Sequence, residues 1–158
     1  MLKLVAKIRS SVIVYVSSRK ESKDISDFLQ YNNYPSSYYH AGLPYNTRKE
    51  RQKKWTTNET RIIVATTAFG MGIDKEDVKL VVHMCLPSTI EAYFQEAGRA
   101  GRNGKQAYSF LLANKNDVEK QKKLLQLRNP TTIEIKSFYQ KISNFLQVAE
   151  NILSLIHI

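Results

Sequence analysis

Two arginines three residues apart, Arg99 and Arg102, lie in the run Gln95-Glu96-Ala97-Gly98-Arg99-Ala100-Gly101-Arg102-Asn103-Gly104. A guanidinium keeps its proton at any working pH, and its planar fork matches phosphate oxygens two at a time. Only Ala and Gly separate the pair, so little bulk prevents both from being aimed at a phosphoryl group whose charge is changing. A solvated basic turn fits the same spacing. A second candidate follows a buried-looking apolar run: Thr66-Thr67-Ala68-Phe69-Gly70-Met71-Gly72-Ile73-Asp74. Gly70 and Gly72 permit tight turns and close approach of backbone to a ligand. Thr66 and Thr67 offer hydroxyl and N–H groups to phosphates, and Asp74 can accept a hydrogen bond from a ribose hydroxyl. An ordinary strand-to-loop turn with a helix-capping Asp fits this run as well.

Equally informative is what the sequence lacks. No G-x-x-x-x-G-K-[ST] occurs, so the chain has no phosphate-cradling loop of that kind. No acidic cluster follows a strand in the manner that holds Mg²⁺; Glu76 and Asp77 read as solvated turn residues. The chain therefore supplies at most half of a nucleotide-hydrolysing site. Cys85 is the single cysteine, which excludes an internal disulfide and a multi-cysteine zinc site. Its place at the end of the apolar run 78–84 reads as a half-buried structural thiol.

The elements that must position these residues alternate in type. Residues 11–16 (SVIVYV) are apolar on both faces, the pattern of a central parallel strand. Ser18 with Glu21 predicts a capping box opening a helix with Ile25, Phe28 and Leu29 on one face. Residues 36–40 predict a short strand closed by Ala41-Gly42, and 46–57 a very polar helix with Arg48, Lys49, Arg51, Lys53, Lys54 and, near its end, Trp55. Residues 61–66 and 78–84 read as two more buried strands. Ser88 with Glu91 predicts a cap for a helix through Ala97, and 106–112 a further strand. This order argues for an α/β fold with an open, largely parallel sheet and right-handed crossovers. Ligands gather at the carboxyl ends of such strands, where 17–20, 40–43, 66–74 and the loop after Met84 fall as one functional edge.

After Leu112 the texture changes. A lysine-rich helix over 114–127 and a break at Asn129-Pro130 precede a helix capped by Thr131 and Glu134, with Ile135, Phe138, Ile142, Phe145 and Ala149 at helical spacing. That stripe reads as packing surface. The expected domains are 1–113, a helical appendage or start of a following domain over 114–150, and an uncertain apolar tail, 151–158.

The 158 residues suffice for one domain with a full core, and 42% hydrophobic with 24% charged residues is an ordinary globular balance. The excess of 24 Lys+Arg over 14 Asp+Glu, a net charge of +10, favours a polyanionic partner, most often nucleic acid. No signal peptide is visible and no apolar stretch is long enough to span a bilayer, so a reducing intracellular compartment and no membrane partner are expected.

Taken jointly, Tyr39-His40-Ala41-Gly42-Leu43, the run 65–74, Val81-Val82-His83 and the run 95–104 resemble the RecQ family of superfamily 2 DNA helicases. The resemblance covers roughly residues 11–117 and matches the second RecA-like lobe with its motifs IV, V and VI. Helicases of the DEAD-box type usually open motif VI with His-Arg, where this chain has Gln95-Glu96; an RNA helicase lobe is the weaker fit. The resemblance implies a two-lobe ATP-dependent helicase, with ATP and Mg²⁺ held mainly by a first lobe and single-stranded DNA as partner. Arg102 is then the arginine finger, Arg99 a second phosphate contact or a latch, and Gln95 a docking residue against the first lobe. Asp74, beside Gly72, approaches the nucleotide sugar, although many relatives carry Asn there. Ser18, Arg19, His40, Thr66 and Thr67 line the strand track. His40 and His83 also fit hydrogen-bonded structural histidines. No zinc ligand set is present, although many RecQ proteins carry a four-cysteine zinc domain after this lobe. Residues 1–7 read as mid-helix, which suggests a fragment inactive alone, in the cytoplasm beside a bacterial nucleoid or in a nucleus. The alternative is a stand-alone basic nucleic-acid-binding or docking module.

Overall fold

Valine and isoleucine runs on both sides of a polar helix force a layered arrangement, because each run must bury two faces. The computed structural model describes residues 1–70 and 73–145. Its elements are α1 (Leu2–Lys7), β1 (Ser11–Tyr15), α2 (Arg19–Tyr31), β2 (Ser36–Tyr39), α3 (Tyr45–Thr56), β3 (Ile62–Ala65), β4 (Val78–His83), α4 (Ile90–Ala97), β5 (Tyr108–Leu111), α5 (Lys115–Arg128) and α6 (Thr132–Phe145). Gly72 and the expected tail over 151–158 lie outside the described residues, as does Ala149. Two compact units divide between Val118 and Glu119.

The first unit is a five-stranded sheet of order β2-β3-β1-β4-β5 with every pairing parallel. Alternation sorts the strands' side chains onto two faces. Ile13, Tyr15, Ile63, Ala65 and Val81 pack with Trp55 of α3 and with Phe69 and Ile73. Val12, Val14, Ile62, Val64, Leu80 and Val82 pack with Val5 of α1 and Leu29 of α2. Trp55 is fully buried, and its indole N–H donates to the Val12 carbonyl. This one side chain anchors an otherwise polar helix; removing it costs about 3–5 kcal/mol.

Some local expectations change. Ser18 caps α2 by accepting from the Glu21 N–H, but the Glu21 carboxylate turns back to the N–H and hydroxyl of Ser17 instead of to Ser18. Phe28 is about half exposed, so only Leu29, with Ile25 beside it, anchors that face. The cap of α4 is Thr89 and not Ser88: its Oγ1 accepts from the Ala92 N–H at 3.1 Å, which shifts the start by one residue. Asp77 is not a solvated turn residue. It accepts from the Ser11 hydroxyl and pairs with the buried Lys75 at 2.9 Å, while Lys75 Nζ also donates to the Thr56 carbonyl and to Asn58. Burial works to raise the Asp77 carboxyl, but the bonds and charge of Lys75, with Ser11 and Asn58, outweigh it and hold the group below its usual range. This cluster pins the loop before β4 to the amino end of β1.

In the second unit, Thr131 and Glu134 form the reciprocal cap expected for α6. The stripe Ile135, Phe138, Ile142 and Phe145 is not covered: no residue of α6 is buried.

Candidate functional site

Parallel pairing puts all five carboxyl ends along one rim, in the register Tyr39–Ala65–Tyr15–His83–Leu111. The expected single functional edge nonetheless resolves into two places. The segment after β3 must travel the length of the sheet to start β4, and α4 runs back the same way, so the residues they carry are not confined to that rim.

At the carboxyl rim stand Ser18, Arg19, His40, Thr66 and Thr67. Arg19 lies against Gly42, where a Cβ would meet its Nη1 at 2.6 Å. The close approach of a glycine therefore joins the loop after β2 to the start of α2. His40 stacks beside Tyr38, with centroids 5.9 Å apart, and Tyr38 in turn lies under Arg51, whose Nη1 donates to the Tyr38 carbonyl at 2.7 Å. Burial, then the charges of Arg19 and Arg51, lower the His40 pKa, so the ring is neutral at pH 7 and contributes hydrogen bonds instead of charge. Its Nδ1 is buried without a partner. Thr67 is exposed. The Thr66 N–H is spent on the Tyr39 carbonyl within the sheet, which leaves its hydroxyl, not its amide, as the group offered to a phosphate.

The second place holds the arginine pair. Gly101, at φ 76° in the left-handed region, lets the turn after α4 fold back so that its N–H bonds the carbonyl of Val78, the first residue of β4. That docking sets Arg102 beside the amino end of β4. Its Nη1 donates to Asp74 Oδ1 at 2.7 Å and to the Ile73 carbonyl at 3.0 Å. Arg99 is seated differently. Its guanidinium covers Gly70, where a Cβ would meet Nη2 at 2.5 Å, and it bonds the Tyr15 hydroxyl. That hydroxyl donates to the Phe69 carbonyl, and the ring stacks on His83 at 5.4 Å. Burial pushes the Tyr15 pKa up to about 12. Arg99 Nε is buried with no partner. Gln95 is exposed on α4.

One participant, Glu96, escapes a reading of the sequence, and its partner His83 takes the hydrogen-bonded structural role that was one of its two expected readings. His83 and Glu96 are both buried, and Nε2 lies 3.0 Å from Oε2, tying β4 to the α4 turn that carries Arg99. Glu96 sits three residues before Arg99, the helical spacing that could have flagged it. Cys85 is half-buried, its thiol pushed up to about 11 by burial and then by nearby carboxylates, which fits an inert packing role. Among the described residues, no group of three or more His, Cys, Asp or Glu is placed to hold a metal ion, and no helix is long and apolar enough to cross a membrane.

The geometry thus offers two guanidinium groups seated by backbone, Arg99 against Tyr15 and Gly70 and Arg102 against Asp74 and Ile73, and an open, hydrogen-bonding basic rim. Comparison with known proteins gives this arrangement its relatives. The family described as helicase conserved C-terminal domain matches residues 1–104. The chain is similar to the RecQ-like DNA helicase blm-1 of Caenorhabditis elegans, with 42% identity over 87% of this chain and 14% of that protein. It is equally similar, at 42% identity over 72% of its length, to the ATP-dependent DNA helicase RecQ of Bacillus subtilis, of which it covers 19%. The chain therefore spans less than a fifth of either relative. Among solved structures, the yeast DEAD-box splicing factor Prp28 superposes with a TM-score of 0.65 over 70% of this chain and 24% of that one. At 22% identity, that likeness shows the RecA-like fold alone.

Proposed function

We propose, for a chain that belongs to the helicase conserved C-terminal domain family and carries that domain in its RecQ-type form, the role of second motor lobe in an ATP-dependent DNA helicase. The observation that carries this reading is the seating of the arginine pair. Arg102 is held by an exposed carboxylate, Asp74, which water or a phosphate can replace at little cost. Arg99 keeps an unpartnered Nε beside a glycine that leaves room for it.

ATP with its Mg²⁺ is the substrate of the whole protein and is bound mainly by a first lobe. Arg102 is the finger that meets its terminal phosphate, and Arg99 is the second contact. Asp74 holds Arg102 while the lobes are apart and turns to the nucleotide sugar when the phosphate takes the guanidinium. Gly72 belongs to the same nucleotide-facing run. Gln95, exposed on α4, docks against the first lobe. Charge-assisted bonds that exist only when the lobes are closed favour closure, and loss of the terminal phosphate removes that preference. Ser18, Arg19, His40, Thr66 and Thr67 grip the backbone of a single strand during the cycle, and the surplus of positive charge adds sequence-independent, salt-sensitive affinity.

The lobe occupies residues 1–113, with a helical appendage or the start of a following domain over 114–150 and a tail over 151–158. Alone it is inactive in ATP hydrolysis, since it has no phosphate-cradling loop. Its workplace is wherever the DNA is, a bacterial nucleoid or a nucleus. The test is DNA-stimulated ATP hydrolysis by a protein that joins this lobe to its first lobe, natural against Arg102→Ala. A collapse in turnover with nucleotide binding kept supports the motor lobe. Unchanged turnover removes the finger assignment and leaves a basic binding module.

A further inference from the structure

Helix α3 is unusual for a helix lying on a sheet. Apart from Trp55 it is polar all round, with five cations (Arg48, Lys49, Arg51, Lys53 and Lys54) against one carboxylate, Glu50. The lone acid is already spoken for, since Glu50 pairs with Lys54 at 2.7 Å. Arg51 turns inward to Tyr38. The remaining cations, with Tyr45, Gln52 and Thr56, line a groove of about 430 Å³ along the helix. Lys49 and Lys53 stand there one helical turn apart, and neither has a carboxylate partner among the described residues. Like charges at this spacing destabilise a helix, so nothing in the fold calls for them. Arg48 adds a buried Nε without a partner. Tyr45, 68% exposed, opens the groove at its amino end, and Tyr39, the residue before His40, forms part of its wall. Another acid, Glu59, follows the carboxyl end of the helix, where it accepts from the Thr57 hydroxyl.

We propose that this groove is a second seat for single-stranded DNA, taking backbone phosphates of the strand as it leaves the Ser18, Arg19 and His40 cluster. The proposal rests on the reading of that cluster as a strand track and extends it around the edge of the sheet. Cations interleaved with an exposed aromatic ring suit a single strand, which presents a phosphate line and unstacked base faces together. Continuity with the rim through Tyr39 and His40 favours the same strand over a separate acidic protein segment.

The test uses the 158-residue chain and a fluorescein-labelled oligothymidylate of about 20 nucleotides, with anisotropy read between about 50 and 200 mM salt. Lys49→Gln/Lys53→Gln should weaken binding roughly tenfold at low salt and flatten the log–log salt slope by about 1.4, two phosphates at about 0.7 each. Lys49→Arg/Lys53→Arg should retain both. Lys3→Gln/Lys7→Gln removes equal charge from α1 and should leave the slope alone. An equal effect there would make the result one of net charge and overturn the proposal. Unchanged binding in Lys49→Gln/Lys53→Gln beside a loss in Arg19→Gln overturns the groove while the track survives. No loss in either variant overturns both. If the double variant loses only poly-glutamate, and not the oligonucleotide, the occupant is an acidic protein segment and the proposal fails.

Discussion

The rim that carries Arg19 and His40 and the turn that carries Arg99 and Arg102 are both basic, yet they are built on opposite principles. At the rim Ser18, Arg19 and Thr67 are exposed, so a flexible polymer can use them in many registers. At the turn each guanidinium is aimed by backbone: Arg99 lies over a missing side chain at Gly70, and Arg102 is fixed through the Gly101 N–H and the Ile73 carbonyl. Binding a polymer tolerates slack; meeting one phosphoryl group does not, because small misplacements lose large factors in rate.

The largest expected effect separates the two functions. Arg102→Ala in the two-lobe protein should lower DNA-stimulated turnover by about a thousandfold or more while leaving the affinity for oligonucleotide within a factor of two or so. Loss of DNA binding in parallel would erase the distinction between the two places. Gly70→Ala comes next. Its Cβ meets Arg99 Nη2 at 2.5 Å and its backbone, at φ 157°, strains any L residue, so the guanidinium must shift and the turn loses stability; turnover should fall on the order of a hundredfold while the urea midpoint falls only modestly. Circular dichroism and a urea midpoint check the second half of that statement.

The seat of Arg99 also has a signature in alkali. The Tyr15 hydroxyl is held at about 12 from an ordinary value of 10.0, so the unfolded chain loses that proton first. Stability from this group is therefore intact below about pH 10 and is lost as pH rises through about 12, amounting to about 2–3 kcal/mol. Cys85 acts in the same sense from its ordinary 9.0 to about 11. Tyr15→Phe should remove the upper part of this alkaline decline, visible in urea midpoints at pH 8 and 11. Equal declines in both proteins would mean the hydroxyl is not buried as described. The smallest effect belongs to the rim: Arg19→Gln should weaken oligonucleotide binding several-fold and flatten the salt slope by about 0.7, with turnover at saturating DNA nearly unchanged.

Much of this architecture was legible beforehand because β-branched runs and amphipathic helices carry their periods openly. The runs at 11–16, 61–66 and 78–84 became β1, β3 and β4 with ends moved by a residue. Capping was less secure: Ser88 and Thr89 are adjacent and both suit the position, and only the backbone at Thr89, extended at φ −143°, decides between them. Long-range polar pairs were invisible. Nothing local announces that Lys75 will be buried under Thr56 and Asn58, or that Glu96 will meet His83, because each partner comes from a distant part of the chain. The candidate groups themselves were named from their runs and from the resemblance those runs carry. Their division between a rim and a turn follows from the directions of α4 and of the segment before β4, which no spacing encodes.

The sheet order carries a consequence for the birth of the protein. The central strand β1 is made first, yet its neighbours β3 and β4 are paired through Ile62 and Leu80 to the same Val12. Fifty residues separate Val12 from the earlier of these partners. At ribosomal speeds of about 5–20 residues per second, a five-residue segment destined for complete burial waits roughly 3–10 s for its first neighbour. During that interval its backbone groups lack the strand partners they take in the folded sheet.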